Sequence, residues 1–205
     1  MPTDLFLAFA AFALISSITP GPNNLMLMAS GTNFGLARTL PHMLGVSLGF
    51  VLMVLLVGLG LAQIFTHVPM AYTLLKAVCA VYLCYLAWRI ATSAAPKAGE
   101  ARGKPLTFTQ AALFQWVNPK AWTMALTAVT AYAPADARLL TFVLIAAVFG
   151  VINLPSVGLW AMMGVQLRRV LQDPGALRTM NIAAALMLLA SLYPVFSGDF
   201  SKATD

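Results

Sequence analysis

Apolar positions in this chain fall in long runs broken by short polar stretches, and the runs have the length that crosses a bilayer, about 20 residues at about 1.5 Å each. They predict spans over residues 5–28, 41–65, 70–91, 107–132, 139–166 and 179–196. Turns are expected at 31–38, 68–69 and 134–138, a hydrophilic linker at 94–106 and a basic loop at 168–178. The expected fold is an all-α polytopic membrane protein with six transmembrane helices in two sets of three. Residues 1–93 form the first set, 94–106 the cytoplasmic linker and 107–205 the second set, within one membrane domain.

Two of these runs are interrupted before they have crossed. Residues 16–24, SSITPGPNN, place Pro20 and Pro22 inside the first span. Each proline lacks a backbone donor and pushes the residue before it towards an extended conformation, so the helix breaks and the carbonyls of Ser16 and Ile18 are freed. Backbone left unpaired in hydrocarbon costs several kcal/mol per group, so irregular backbone at that depth belongs inside protein or beside a watery cavity. The second half-helix is expected to start at Asn23 or Asn24, both good caps, with its positive dipole end facing the gap. Discontinuous helices of this kind form substrate sites in secondary transporters, although a proline kink can also be purely structural.

The second interruption is Trp116-Val-Asn-Pro-Lys120 in the fourth span. There Pro119 frees the carbonyl of Gln115, Asn118 is a cap, and Lys120 lies roughly 20 Å from the start of the span at about 1.5 Å per residue. An ionisable residue at that depth is a functional candidate, its ammonium suited to a substrate carboxylate or to losing its proton when desolvated. The structural alternative is a lysine that only neutralises the break.

Composition changes the picture by fixing the solvent. With 60% hydrophobic and 9% charged residues and a mean hydropathy of +0.86, there are too few polar side chains to cover a water-soluble globule. The net charge of +6 does not point to nucleic acid, because the basic residues flank apolar runs and form no stripe with aromatics. They set topology instead. Arg38, Arg89, Lys97, Arg102, Lys104, Arg168, Arg169 and Arg178 follow spans one, three and five, and only Arg138 and Lys202 fall on the other side. By the positive-inside rule both termini are expected to face the periplasm. The start of the chain has no basic n-region, so no secretory signal is expected.

Three spans per half make the halves opposite in orientation, an inverted repeat. The breaks at Pro20 and Pro119, and the turn arginines Arg38 and Arg138, stand about one hundred residues apart, in corresponding places of such a repeat. Gly45 and Gly49 share one face of the second span and invite close approach of another helix. Cys79 and Cys84 do not share a helix face and suggest no disulfide framework. Two histidines near span ends with these two cysteines do not make a metal site, and serines or threonines without a buried Asp or His do not make an enzyme. No cofactor is expected. A transporter of another small solute and a passive assembly subunit are the remaining alternatives.

Thr19-Pro-Gly-Pro-Asn23 and Asn118-Pro-Lys120 together resemble the paired signatures of the LysE/RhtB amino-acid exporters, six-span proteins of the bacterial inner membrane. The resemblance extends over essentially the whole chain. ISSITPGPNNL, GVSLGF at 45–50, YLAWRIATS at 85–93 and MNIAAALML at 180–188 are similar to its cysteine/O-acetylserine branch. The resemblance implies export of a small amino acid through a central site lined by Thr19, Pro20, Gly21, Pro22, Asn23, Asn24, Gln115, Asn118, Pro119 and Lys120. Asn153, followed by Pro155, looks like a further polar, kinked contributor, whereas Asn181 reads as a cap or interhelical contact. With no acid deep in a span, small neutral amino acids or their derivatives are favoured over lysine or arginine, whose side-chain charge would need a carboxylate.

The resemblance also implies coupling to protons. Lys120, helped by His42, is then the titrating group; the alternatives are a proton carried on the substrate, or facilitated transport. The mechanism expected is alternating access, with the substrate carboxylate near Lys120 and its ammonium on freed carbonyls of Ser16, Ile18 or Gln115. A homo-oligomer is compatible with the sequence, which does not set a number of subunits.

Overall fold

The computed structural model describes residues 2–92, 104–134, 137–170 and 173–193, so Lys97, Arg102 and most of the expected linker lie outside the described residues. Among these residues all regular structure is helical. In chain order the helices are α1 (Thr3–Ile18), α2 (Pro22–Phe34), α3 (Leu36–Gly58), α4 (Ile64–His67), α5 (Pro69–Ala91), α6 (Phe108–Phe114), α7 (Pro119–Tyr132), α8 (Leu139–Val170) and α9 (Pro174–Ala190). Single 3-10 turns occupy Leu61–Gln63 and Gln115–Val117.

Three helices contain stretches long and apolar enough to cross a membrane: Leu36–Gly58, Thr73–Ala91 and Leu139–Arg168. The pair α1 and α2 passes the same test together, bent by 50° at the Thr19-Pro-Gly break. The run from α6 to α7 is divided in the same manner, by a 3-10 turn and the extended Asn118.

Several boundaries differ from the sequence expectation, each for a local reason. The second half-helix begins at Pro22, with Gly21 in the cap position, so Asn23 and Asn24 lie inside its first turn and do not cap it. Proline at the first helical position lacks only a donor that has no intrahelical partner there. The expected polar turn at 31–38 is helix almost throughout. It contracts to Gly35, whose φ of 79° is a conformation that other residues rarely adopt. The helix α3 then starts at Leu36 and includes Pro41, since one missing donor in the second turn does not end it. The Asp-Pro-Gly expected in a loop opens α9: Asp173 Oδ2 accepts from the Ala176 amide at 2.9 Å, with Pro174 in the first turn.

Packing is reciprocal between the two broken runs and the long helices. The helix α3 packs against both pieces of the second broken run, α6 and α7, and α8 packs against both pieces of the first, α1 and α2. Helices α5 and α9 pair with each other. Small residues make the close approaches. A Cβ on Gly31 would strike the Ala161 carbonyl, one on Gly164 the Met28 carbonyl, and one on Gly49 would lie 2.6 Å from Ala112 Cα. Thr32 Oγ1 joins the α2 and α8 seam by donating to Gly164 O at 2.9 Å.

The faces turned away from these seams are apolar. Leu40, Leu44, Leu48 and Leu52 form an exposed ridge along α3, while Val46, Gly49, Phe50 and Met53 are buried. A helix that buries its small residues and exposes leucine suits a hydrocarbon surrounding. Cys79 is buried and Cys84 exposed, and the two are not bonded to each other. Between α1, α3, α7 and α8 an aromatic cluster gathers, with Phe149 edge-on to Phe9 at 5.4 Å and to Phe50 at 5.0 Å. Phe50 is also the link from this cluster to the broken helices.

Candidate functional site

Five successive carbonyls at the first break have lost regular helical partners, and side chains answer all of them. Thr19 Oγ1 donates to Ser16 O at 3.1 Å and Asn24 Nδ2 to Ser17 O at 2.9 Å. From α8, Trp160 Nε1 reaches Ile18 O at 2.9 Å. Asn24 Nδ2 also donates to Thr19 O at 2.7 Å. The remaining donor comes from the other break: Lys120 Nζ lies 2.7 Å from Thr19 O, 2.9 Å from Thr19 Oγ1 and 3.3 Å from Pro20 O. An ammonium has three donors, and all three are directed at the first break. They sit at the C-terminal, negative end of α1.

The second break is held by its own cap and by an amide pair. Asn118 Oδ1 accepts from the Lys120 amide at 3.1 Å, so α7 starts with Asn118 as cap and Pro119 in the first turn. Gln115, fully buried, exchanges two hydrogen bonds with Asn23. Asn23 Nδ2 donates to Gln115 Oε1 at 2.8 Å, and Gln115 Nε2 donates to Asn23 Oδ1 at 3.2 Å. The two breaks are therefore joined twice, by an ammonium and by a reciprocal amide pair. Asn153 reaches the same region from α8, its Nδ2 donating to Ser17 Oγ at 3.3 Å, while its buried Oδ1 has no partner among the described residues.

These groups surround a small cavity lined by Ser16, Ser17, Gly21, Asn23, Asn24, Phe50, Asn118, Lys120, Ala121, Met124 and Asn153. Six residues expected from the sequence line it: Gly21, Asn23, Asn24, Asn118, Lys120 and Asn153. Thr19, Pro20, Pro22, Gln115 and Pro119 are one step behind, shaping the breaks or holding the residues that line the space. The first turns of both α2 and α7 open onto the cavity, bringing two positive helix ends and one ammonium together with no carboxylate in the lining. Such a site suits an anionic group. No cluster of three metal-ligating side chains occurs among the described residues.

The carbonyls of Ser16 and Ile18 already accept from Thr19 and Trp160, and Gln115 O from the Asn118 amide at 3.2 Å, so a ligand ammonium there would use the second lone pair or displace a donor. Pro155 lies inside α8, which runs on through it. His42 is buried in α3 and lines a different cavity from Lys120. Asn181 Oδ1 accepts from Asn33 Nδ2 at 3.5 Å, an interhelical contact as the sequence suggests.

Ser17, Phe50, Met124 and Trp160 join the site without having been singled out in the sequence. Trp160 carried a usable signal, since it stands two helical turns after Asn153 and thus on the same face of α8.

A family model described as a LysE type translocator matches residues 14–193. The chain is similar to proteins named cysteine/O-acetylserine efflux protein from Escherichia coli strain K12, Shigella sonnei strain Ss046 and Shigella flexneri serotype 5b. Identity to each is 32% over 200 residues, covering 96% of this chain and 100% of the relative. No solved structure matches the chain.

Proposed function

Because the chain belongs to the LysE type translocator family, we propose that it exports small neutral amino acids or their derivatives, of the cysteine, O-acetylserine and threonine type, across the bacterial inner membrane by alternating access. Its first three spans would be α1 with α2, α3 and α5; the second three would be α6 with α7, α8 and α9. The reciprocal packing of α3 on α6 and α7, and of α8 on α1 and α2, is the pattern an inverted repeat produces. Both termini then face the periplasm, and the linker between the repeats faces the cytoplasm.

The observation that carries this reading is the meeting of two half-helix N-termini and Lys120 around one cavity that has no acid in its lining. A substrate carboxylate is attracted there by both helix ends and by the ammonium. The three donors of Lys120 already serve Thr19 and Pro20. Binding is therefore an exchange, in which the carboxylate takes ammonium protons from the first break and loosens a tie between the repeats. That gives the substrate a different affinity for the tied and untied states, which any ligand-driven switch requires. A neutral substrate brings no second cation that would need a buried acid.

The test is uptake of labelled cysteine, O-acetylserine, serine and threonine into inside-out vesicles carrying wild type or Lys120→Ala, with and without a proton gradient. Saturable uptake by the wild type that the substitution abolishes is expected. Uptake of a substrate that does not need Lys120, or no uptake of any of the four, overturns the reading.

A further inference from the structure

A second cavity lies at the other end of α2 from the breaks. Met26, Ala29, Ser30, Asn33 and Phe34 line it from α2, and their spacing places them on one stripe of the helix. Asn23, three residues before Met26, continues that stripe into the cavity at the breaks. From Asn23 to Asn33 is roughly 15 Å at about 1.5 Å per residue. The two cavities thus share one face of α2, with the Asn23 and Gln115 amide pair and the packed Met26 and Phe114 side chains around the turn between them.

The chemistry of this lining is unusual for a structural void. His42 is 2% exposed, and neither of its ring nitrogens has a hydrogen-bond partner among the described residues. The same holds for Asn33 Oδ1, whose amide nitrogen is engaged with Ala29 O at 2.7 Å. Buried polar atoms without partners cost about 1–3 kcal/mol each and are uncommon in folded proteins. Two cationic side chains, Arg89 at the end of α5 and Lys104 before α6, stand at the same cavity, and no carboxylate lines it. Apart from Ser30, whose hydroxyl pairs with that of Thr39 at 2.9 Å, the rest of the wall is apolar.

We propose that this cavity is a second binding site for a zwitterionic neutral amino acid, a loading site at the basic end of the transporter. The assignment rests on the transport reading above for its ligand class. Arg89 and Lys104 hold the carboxylate, while Asn33 Oδ1 and an imidazole nitrogen of His42 accept from the ammonium. A short uncharged side chain packs against Met26 and the apolar wall. A cationic side chain finds no counter-charge there.

The test is equilibrium dialysis of labelled O-acetylserine against the full-length protein in lipid nanodiscs. Wild type is expected to bind two equivalents and Lys120→Ala one. His42→Gln and Arg89→Gln are each expected to weaken, by about tenfold or more, the equivalent that survives in Lys120→Ala, since each removes or misplaces a charged-group hydrogen bond. Retention of the break-site equivalent in these variants reports that they are folded, and Arg89 is exposed in the last turn of α5. N-acetylserine, which has no ammonium, is expected to compete at least about tenfold more weakly than serine for the surviving equivalent. One equivalent in wild type, lost in Lys120→Ala and indifferent to His42→Gln, overturns the second site and leaves the break site standing. Equal competition by N-acetylserine overturns the ammonium assignment. No binding by wild type, together with no vesicle uptake of any neutral amino acid, overturns the transport reading itself.

Discussion

The ammonium of Lys120, at the start of α7, lies 2.7 Å from the carbonyl oxygen of Thr19, just past the end of α1. The two residues belong to different broken helices, and each supplies what the other break lacks. Proline frees carbonyls at the first break, and the second delivers a tethered cation to them. A charge that would be costly in hydrocarbon is thereby offset by oxygen acceptors that would also be costly unpaired.

Replacing Lys120 by methionine keeps the length and removes the charge. Thr19 O retains Asn24 as a donor, but Pro20 O and Thr19 Oγ1 lose theirs. A destabilisation of about 1 kcal/mol is expected from the lost hydrogen bonds, whose acceptors are exposed, read as a lower unfolding temperature in detergent. Transport should fall far more than stability if the ammonium is, as proposed, also the group offered to substrate. Lys120→Arg should restore most of the stability and little of the transport, since a planar guanidinium does not reproduce three converging donors.

Gly21 tests the same contact from the other side. Its φ of −176° is ordinary extended backbone, so alanine introduces no backbone strain there. Its Cβ would instead lie 2.6 Å from Lys120 Cδ and 3.2 Å from Nζ, pushing the lysine off the first break. Gly21→Ala is expected to cost about 1–3 kcal/mol in stability and most of the uptake activity. In a Lys120→Ala background the same substitution should cost almost nothing in stability. A double-mutant cycle on unfolding temperatures measures the coupling, and additive effects would show that Gly21 matters for another reason.

The α2 and α8 seam makes a different prediction. A side chain at Gly31 would meet the Ala161 backbone carbonyl, and one at Gly164 the Met28 carbonyl and the Thr32 amide. Backbone cannot move aside as the end of a lysine can. Gly31→Val or Gly164→Val should therefore separate the helices and reduce the yield of folded protein, with a loss of about 3 kcal/mol or more. Size-exclusion profiles of the solubilised variants check this, and a folded, monodisperse Gly164→Val protein would count against the seam.

How much of this was legible in the sequence differs between the breaks and what fills them. Proline lacks a donor whatever surrounds it, so the interruptions at residues 19–22 and 118–119 are visible without any fold. The apolar runs are equally plain, although Gly35 and Pro41 show how a boundary moves when a glycine supplies the turn and a proline is absorbed. Thr19 and Asn24 answer some of the freed carbonyls locally, but the donors to Ile18 O and Pro20 O come from Trp160 and Lys120, about one hundred residues or more away, and no local pattern pairs them with those oxygens. Of the carbonyls expected to take a ligand ammonium, Ile18 O is met by a distant tryptophan, while Ser16 O and Gln115 O are met by donors three residues on. His42 was visible only as a residue near a span end, and its burial beside Asn33 and Arg89 follows from packing between α2, α3 and α5.

The amide pair between Asn23 and Gln115 separates the cost of leaving a polar group unpaired from the value of having the pair at all. Gln115 is fully buried and exchanges two bonds with Asn23 while its amide nitrogen also reaches Ala111 O at 2.9 Å. Gln115→Leu alone strands the Asn23 amide and should destabilise the protein by about 1–3 kcal/mol. Adding Asn23→Leu removes the stranded group, so the double variant should recover much of that loss even though no polar contact has been restored. Uptake should not recover with it. Asn23 lines the cavity at the breaks and stands on the stripe of α2 that leads to the second cavity, so leucine there closes a polar surface to a zwitterion. Unfolding temperature and vesicle uptake, measured on the two single variants and the double, are expected to move in opposite directions on the last step. If uptake returns along with stability, the pair is a packing element and the route for substrate runs elsewhere.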